Sequence, residues 1–124
     1  MPDTRILGFL ILSLLSFGSL AKDASVHETL FSQKIQALIN ADYQQFIADG
    51  TPEFKAALQQ VQFKDVAWKF GKQLKQGYSA NYEGSFKQQG YDVYLWTISY
   101  DNSAASNQYK MVLSNDKVAG FWIQ

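Results

Sequence analysis

The sequence predicts an α+β fold, with three N-terminal helices packed on a curved four-stranded antiparallel sheet. Apolar residues recur at steps of three and four between Phe31 and Leu74, the helical period. Beyond Gly77 the period falls to two, and aromatic and β-branched residues crowd in, as pleated strands require. Capping and turn residues stand at each change of period, with no repeat or low-complexity linker between them. Helices first and strands after give one domain, with the helices laid on one face of the sheet.

Ser25-Val26-His27-Glu28 is a capping box: the Ser hydroxyl accepts from the third amide while the Glu reaches back to the cap amide. Phe31, Ile35, Leu38 or Ile39, Asp42 and Tyr43, then Phe46 and Ile47 form one stripe, which predicts a single helix of about six turns. It ends near Asp49-Gly50, where glycine takes the left-handed cap. Thr51-Pro52-Glu53 supplies a cap, a proline at the first helical position and an acid for the dipole, predicting a short helix from Pro52 to about Gln60. Phe63, Val66, Ala67, Phe70 and Leu74 predict a third, from about Lys64 to Gln76, closed by Gly77.

In the first strand Tyr78, Ala80, Tyr82, Gly84 and Phe86 alternate with Ser79, Asn81, Glu83 and Ser85. Gln88-Gln89-Gly90 turns the chain into Tyr91 to Tyr100, the strongest strand signal. The polar loop Asp101 to Asn107 leads to a strand from Gln108 to Ser114; Asn115-Asp116-Lys117 is a tight hairpin, and Val118 to Gln124 is the last strand. Strict alternation puts Tyr94, Trp96, Ile98 and Tyr100 on one face and Tyr91, Val93 and Leu95 on the other. In the last strand it sets Val118 and Trp122 against Ala119, Phe121 and Ile123.

Both faces of the sheet therefore read as apolar, and three helices cover one. An open apolar face exceeds the few hundred Å² that soluble monomers usually expose, which points to a homodimer formed through the sheet. The candidate ligand or interface residues are Trp68, Tyr82, Tyr94, Trp96, Tyr100 and Trp122. An alternative use of the same rings is an internal pocket for an apolar small molecule, framed by Trp68 and the sheet aromatics. A filled core uses large side chains in the same way.

The run Ile6 to Phe17, with Arg5 before it and Ser19-Leu20-Ala21 after it, reads as a signal peptide over residues 1–21, leaving a single domain over 22–124. It falls short of the roughly 20 apolar residues needed to cross a bilayer, so no stable membrane anchor is expected after cleavage. The chain has no Cys, which excludes disulfides, thiolate chemistry and a lipidated cysteine. An exported domain without disulfides fits a bacterial periplasm or secretion from a bacterium. Residues 22–124 carry ten Lys, ten acidic residues and no Arg, which argues against nucleic-acid binding. Lys64, Lys69, Lys72 and Lys75 read as a solvated helix face.

The order of elements, the segment "DVAWKFGKQLKQGYS" and the strands ending "YDVYLWTISYDN" and "NDKVAGFWIQ" resemble the cystatin-like cone of the nuclear-transport-factor-2-like superfamily. They are similar in particular to a bacterial group of short exported domains of unknown function, found alone or ahead of secreted α/β-hydrolases. The resemblance covers about residues 25 to 124 and implies a cone-like fold. Members of that superfamily include isomerases, dehydratases, polyketide cyclases and transport factors, so the fold does not settle activity.

No motif carries catalysis, a cofactor or a metal. His27 is the lone imidazole, and the H-E-x-x-H zinc pattern finds Phe31 where its second His belongs. It reads as a surface residue. Gly77 to Asn81 lacks the second glycine of a nucleophile elbow, and Gly71-Lys72 lacks the earlier glycine of a phosphate loop. Glu83 and Asp92, within strands, are the carboxylates that a cone-fold isomerase-like or hydrolase-like enzyme would use, if a cavity desolvated them and raised their pKa. The reading overall is a non-catalytic binding or interaction domain.

Overall fold

Ser25 opens helix α1 (Val26–Asn40), its hydroxyl accepting from the Glu28 amide as the capping box predicts. The computed structural model describes residues 25–124, so the signal peptide expected over 1–21 lies outside the described residues. The six-turn helix is divided in two. Ala41 adopts the left-handed conformation (φ 52°), and Asp42 caps a second helix, α2 (Tyr43–Ile47), its carboxylate accepting from the Gln45 amide. The apolar stripe runs through both pieces, but Asp is a better cap than a helix-interior residue, and the cap wins.

Thr51 caps α3 (Pro52–Ala57) through its hydroxyl, as expected. The last helix starts earlier than its apolar residues suggest, because the Gln62 side chain accepts from the Gln59 amide and caps α4 (Gln60–Val66). It runs on through a π turn (Ala67–Gly71) into α5 (Lys72–Lys75). Gly71 lets this helix touch α1: a Cβ there would lie 2.3 Å from the Leu38 carbonyl oxygen.

The sheet is the predicted antiparallel meander, β1 (Tyr78–Gln88), β2 (Tyr91–Tyr100), β3 (Ser106–Ser114) and β4 (Lys117–Ile123), paired in sequence order. Asn115 and Asp116 both take positive φ (51° and 64°), the twist that a two-residue hairpin between right-twisted strands needs. The helices cover one face of the curved sheet, which gives the cone-like α+β layout. Their apolar sides and Trp96, Ile98, Tyr100, Tyr109, Met111, Leu113 and Val118 of the sheet form one core.

Two bulges correct the predicted alternation. Tyr82 pairs with Trp96 but Gly84 with Leu95, so Glu83 is an extra residue that sends Phe86 to the outer face and Ser85 to the inner. Val112 pairs with Gly120 but Leu113 with Val118, so Ala119 is extra. Val118 therefore joins the core, on the face opposite Trp122. A single-residue insertion is invisible to a period-2 count, and both insertions bend the strands toward a cone.

Candidate functional site

Four of the six candidate residues face the helices. Trp96 and Tyr100 are buried in the core, Tyr94 is half-buried against it and Tyr82 stands exposed at the rim. Phe31 of α1 stacks on Trp96 at 3.7 Å between ring centroids. His27, one turn earlier, stacks on Tyr94 at 4.2 Å and lies 5.3 Å from Tyr82. The imidazole thus pins the first turn of α1 to the sheet, and its burial there lowers its pKa below the usual value. Deeper in, the Tyr100 hydroxyl donates to Asn107 Oδ1 at 2.8 Å and shares a 2.9 Å hydrogen bond with the Tyr109 hydroxyl. These rings fill the interior; they do not leave a hole.

Trp68 does not turn inward. It is 70% exposed on the outer side of the π turn, with the Lys72 ammonium 4.8 Å from its ring. Ala67 and Gly71 are the buried residues of that turn, and position 68 stands at its exposed edge. Trp122, the sixth candidate, is half-exposed on the outer face. It lies across Gly120, where a Cβ would come within 2.2 Å of the indole, and Lys110 Nζ stands 4.8 Å from its ring.

Trp68 borders a shallow groove with Leu38, Ile39 and Gly71. The more enclosed apolar space lies at the end of the cone between α2, α3, α4, the π turn and β4. It is a cavity of about 260 Å³. Its walls are Phe46, Phe54, Leu58, Phe63, Val66, Phe70, Phe121, Trp122 and Ile123, without one polar side chain. The Tyr43 hydroxyl donates to the Leu58 carbonyl at 2.7 Å and fixes the end of α3 beside it. The helix stripes name most of these residues, but which of them leave a gap depends on the α1–α2 break and on the Ala119 bulge, which no sequence period records.

Neither carboxylate proposed as a base reaches that cavity. Glu83 sits on the outer face at its bulge, accepting from the Thr97 hydroxyl and from the Asn81 amide, both at 2.8 Å. Those bonds, Thr97's first, hold its carboxyl below the usual range, the reverse of the rise expected for a base. Asp92 is ion-paired with Lys87 beside the β1–β2 hairpin.

A titratable group lies inside the core as well. Lys34 follows Phe31 by three residues and Leu30 by four, so it belongs to the buried stripe of α1, and it is 0% exposed. Its Nζ has no hydrogen-bond partner among the described residues and lies 5.8 Å from the centroid of the Phe46 ring. Burial depresses its pKa, and Asp49 partly offsets that. A lysine in line with Phe31, Ile35 and Leu38 is the sequence signal that finds it.

This is a cone-like α+β domain with an apolar cavity at one end of its core. No family model matches the chain, and no curated protein matches it. Among solved structures it is similar to a "putative polyketide cyclase" from Sinorhizobium meliloti, at 14% identity and a TM-score of 0.44, over 81% of this chain and 99% of that one.

Proposed function

We propose that this chain is an exported, non-catalytic binding domain of the nuclear-transport-factor-2-like kind, and that it holds an apolar small molecule at the end of its cone. One observation carries the reading: a cavity of about 260 Å³ walled entirely by apolar side chains, six of them aromatic. Such a space favours apolar occupants over water, which needs two to four polar partners to settle. At about 30 Å³ per water-sized group, it has room for eight or nine such groups. Export is supported by the Ile6–Phe17 run and the Ser19-Leu20-Ala21 segment. The resemblance to the exported bacterial group supports the same placement.

The test is saturable binding of 1-octanol, followed by chemical-shift changes at Phe63 and Phe70. One molecule per chain is expected, and binding should disappear in Leu58→Trp, whose indole fills the space. Shifts that never saturate, or that persist in Leu58→Trp, would remove this reading.

A second reading, self-association through the outer face of the sheet, is favoured by a specific cross-strand row. Gly84, Leu95, Lys110 and Trp122 stand in register across the four strands, with the bulged Glu83 beside Gly84. Phe86, Tyr91, Val93 and Val112 extend this row into an apolar band, while Ser79, Asn81, Thr97, Ser99 and Gln108 make the other end of the face polar. A two-fold axis along β2 at Leu95 sets Glu83 of one copy over Lys110 of the other, and apolar band over apolar band.

A further inference from the structure

The buried amine of Lys34 has no partner among the described residues, and such a group is either costly or waiting for one. Lys is almost never fully buried unless it is paired, so 0% exposure with an empty hydrogen-bonding sphere demands an account. The charged side chain that acts on it, Asp49, makes no hydrogen bond or ion pair with it and is itself half-buried at the α2–α3 turn. Phe46 connects the amine to the cavity. Its ring is part of the cavity wall, and Lys34 Nζ lies over the same ring at 5.8 Å. Phe63 and Phe121, also cavity walls, lie 5.0 and 5.3 Å from Phe46 between centroids. The Phe46 end of an otherwise wholly apolar cavity is therefore the place where a polar head group finds a donor one side chain away.

We infer that Lys34 anchors the carboxylate of a small aliphatic acid whose chain occupies the cavity, with the Phe46 ring moving aside to admit the head group. This rests on the apolar-cavity reading above and adds the chemical class of the occupant. An acid suits the amine better than an alcohol or an ester. Its carboxylate sets an opposite charge against the ammonium, with any proton the amine lacks drawn from solvent on binding, so that an ammonium–carboxylate pair forms and no net charge is carried into the core. The walls are aliphatic and aromatic side chains, so a single-headed amphiphile suits them better than a polyol.

The experiment compares octanoate with 1-octanol on the purified protein at neutral pH, by calorimetry, for the parent chain and for Lys34→Met. Methionine keeps the length and apolar bulk of the stem and loses the amine. Octanoate is expected to bind at least tenfold more tightly than octanol to the parent, and the two should become equal within a factor of two in Lys34→Met, with octanol unchanged. In parallel, the ¹⁵N signal of Lys34 Nζ in the parent chain should shift when octanoate is added, as the amine gains an ionic partner, and stay put with octanol. That readout does not depend on the variant folding. If both ligands bind the parent equally, or if the preference survives in Lys34→Met, the anchor is overturned and the cavity reading stands. A Lys34 Nζ signal that does not respond to octanoate would overturn it too. If neither ligand binds the parent, the cavity reading falls and takes the anchor with it.

Discussion

Tyr109 shows how a polar atom earns its place in this core. The residue is 0% exposed, and its hydroxyl closes a chain through Tyr100 to Asn107 at the sheet's inner face. Burial, with Tyr100 beside it, pushes the phenol far above its ordinary pKa, so it stays a neutral donor at every physiological pH. Tyr109→Phe removes one hydrogen bond and leaves Tyr100 with Asn107. Urea unfolding should show a loss of about 0.5–1.5 kcal/mol with an unchanged slope. Lys34 behaves in the opposite way. Its native pKa lies below the 10.5 of the unfolded chain, so between those values the unfolded chain holds a proton that the native one lacks. Stability contributed at this site therefore rises with pH through that window, and it is lowest below the native pKa, where the ammonium is buried. Subtracting the unfolding free energies of Lys34→Met from those of the parent across pH 7 to 10.5 should expose that slope; a flat difference would mean that the amine is solvated or paired.

At the scale of elements, the join between α1 and the π turn is a close backbone contact between helices. A Cβ at Gly71 would meet the Leu38 carbonyl oxygen at 2.3 Å, and a backbone oxygen on α1 cannot step aside as a side chain can. Gly71→Ala should cost about 1–3 kcal/mol in chemical denaturation despite alanine's better helix propensity, because overpacking outweighs it. A neutral or stabilising result would mean that the two helices are spaced more widely. The same join marks where sequence reading stops. Ser25, Thr51 and the Asn115-Asp116 hairpin were legible because each cap or turn is a local bargain between neighbouring residues. Strand existence and order followed from a period held over seven or more residues. The extra residues Glu83 and Ala119 were not legible, because each satisfies packing between distant segments while leaving the local pattern intact. The Ala41 break did carry a local signal, the Asp42 cap, but the apolar stripe running through it masked that signal. The cavity depends on this break and on Ala119, so the site was less readable than the fold.

For the whole molecule, the outer face decides between a single copy and a pair. Val93 is 2% exposed although it points away from the helices, covered on its own face by neighbours in the band that includes Phe86 and Val112. Sedimentation across a concentration series should show a monomer–dimer equilibrium. Reversing one charge, Lys110→Glu, should weaken it at least tenfold by setting two acids face to face, and adding Glu83→Lys should restore it. A parent chain that sediments as a monomer at every concentration would end the paired-sheet reading. Trp122 lines the apolar cavity as a residue of β4, while its indole lies over Gly120 on the outer face. An occupant entering between the helices and a sister sheet laid on from outside would meet at this one residue, so tryptophan emission from this strand registers both arrivals and separates them by colour shift against concentration dependence.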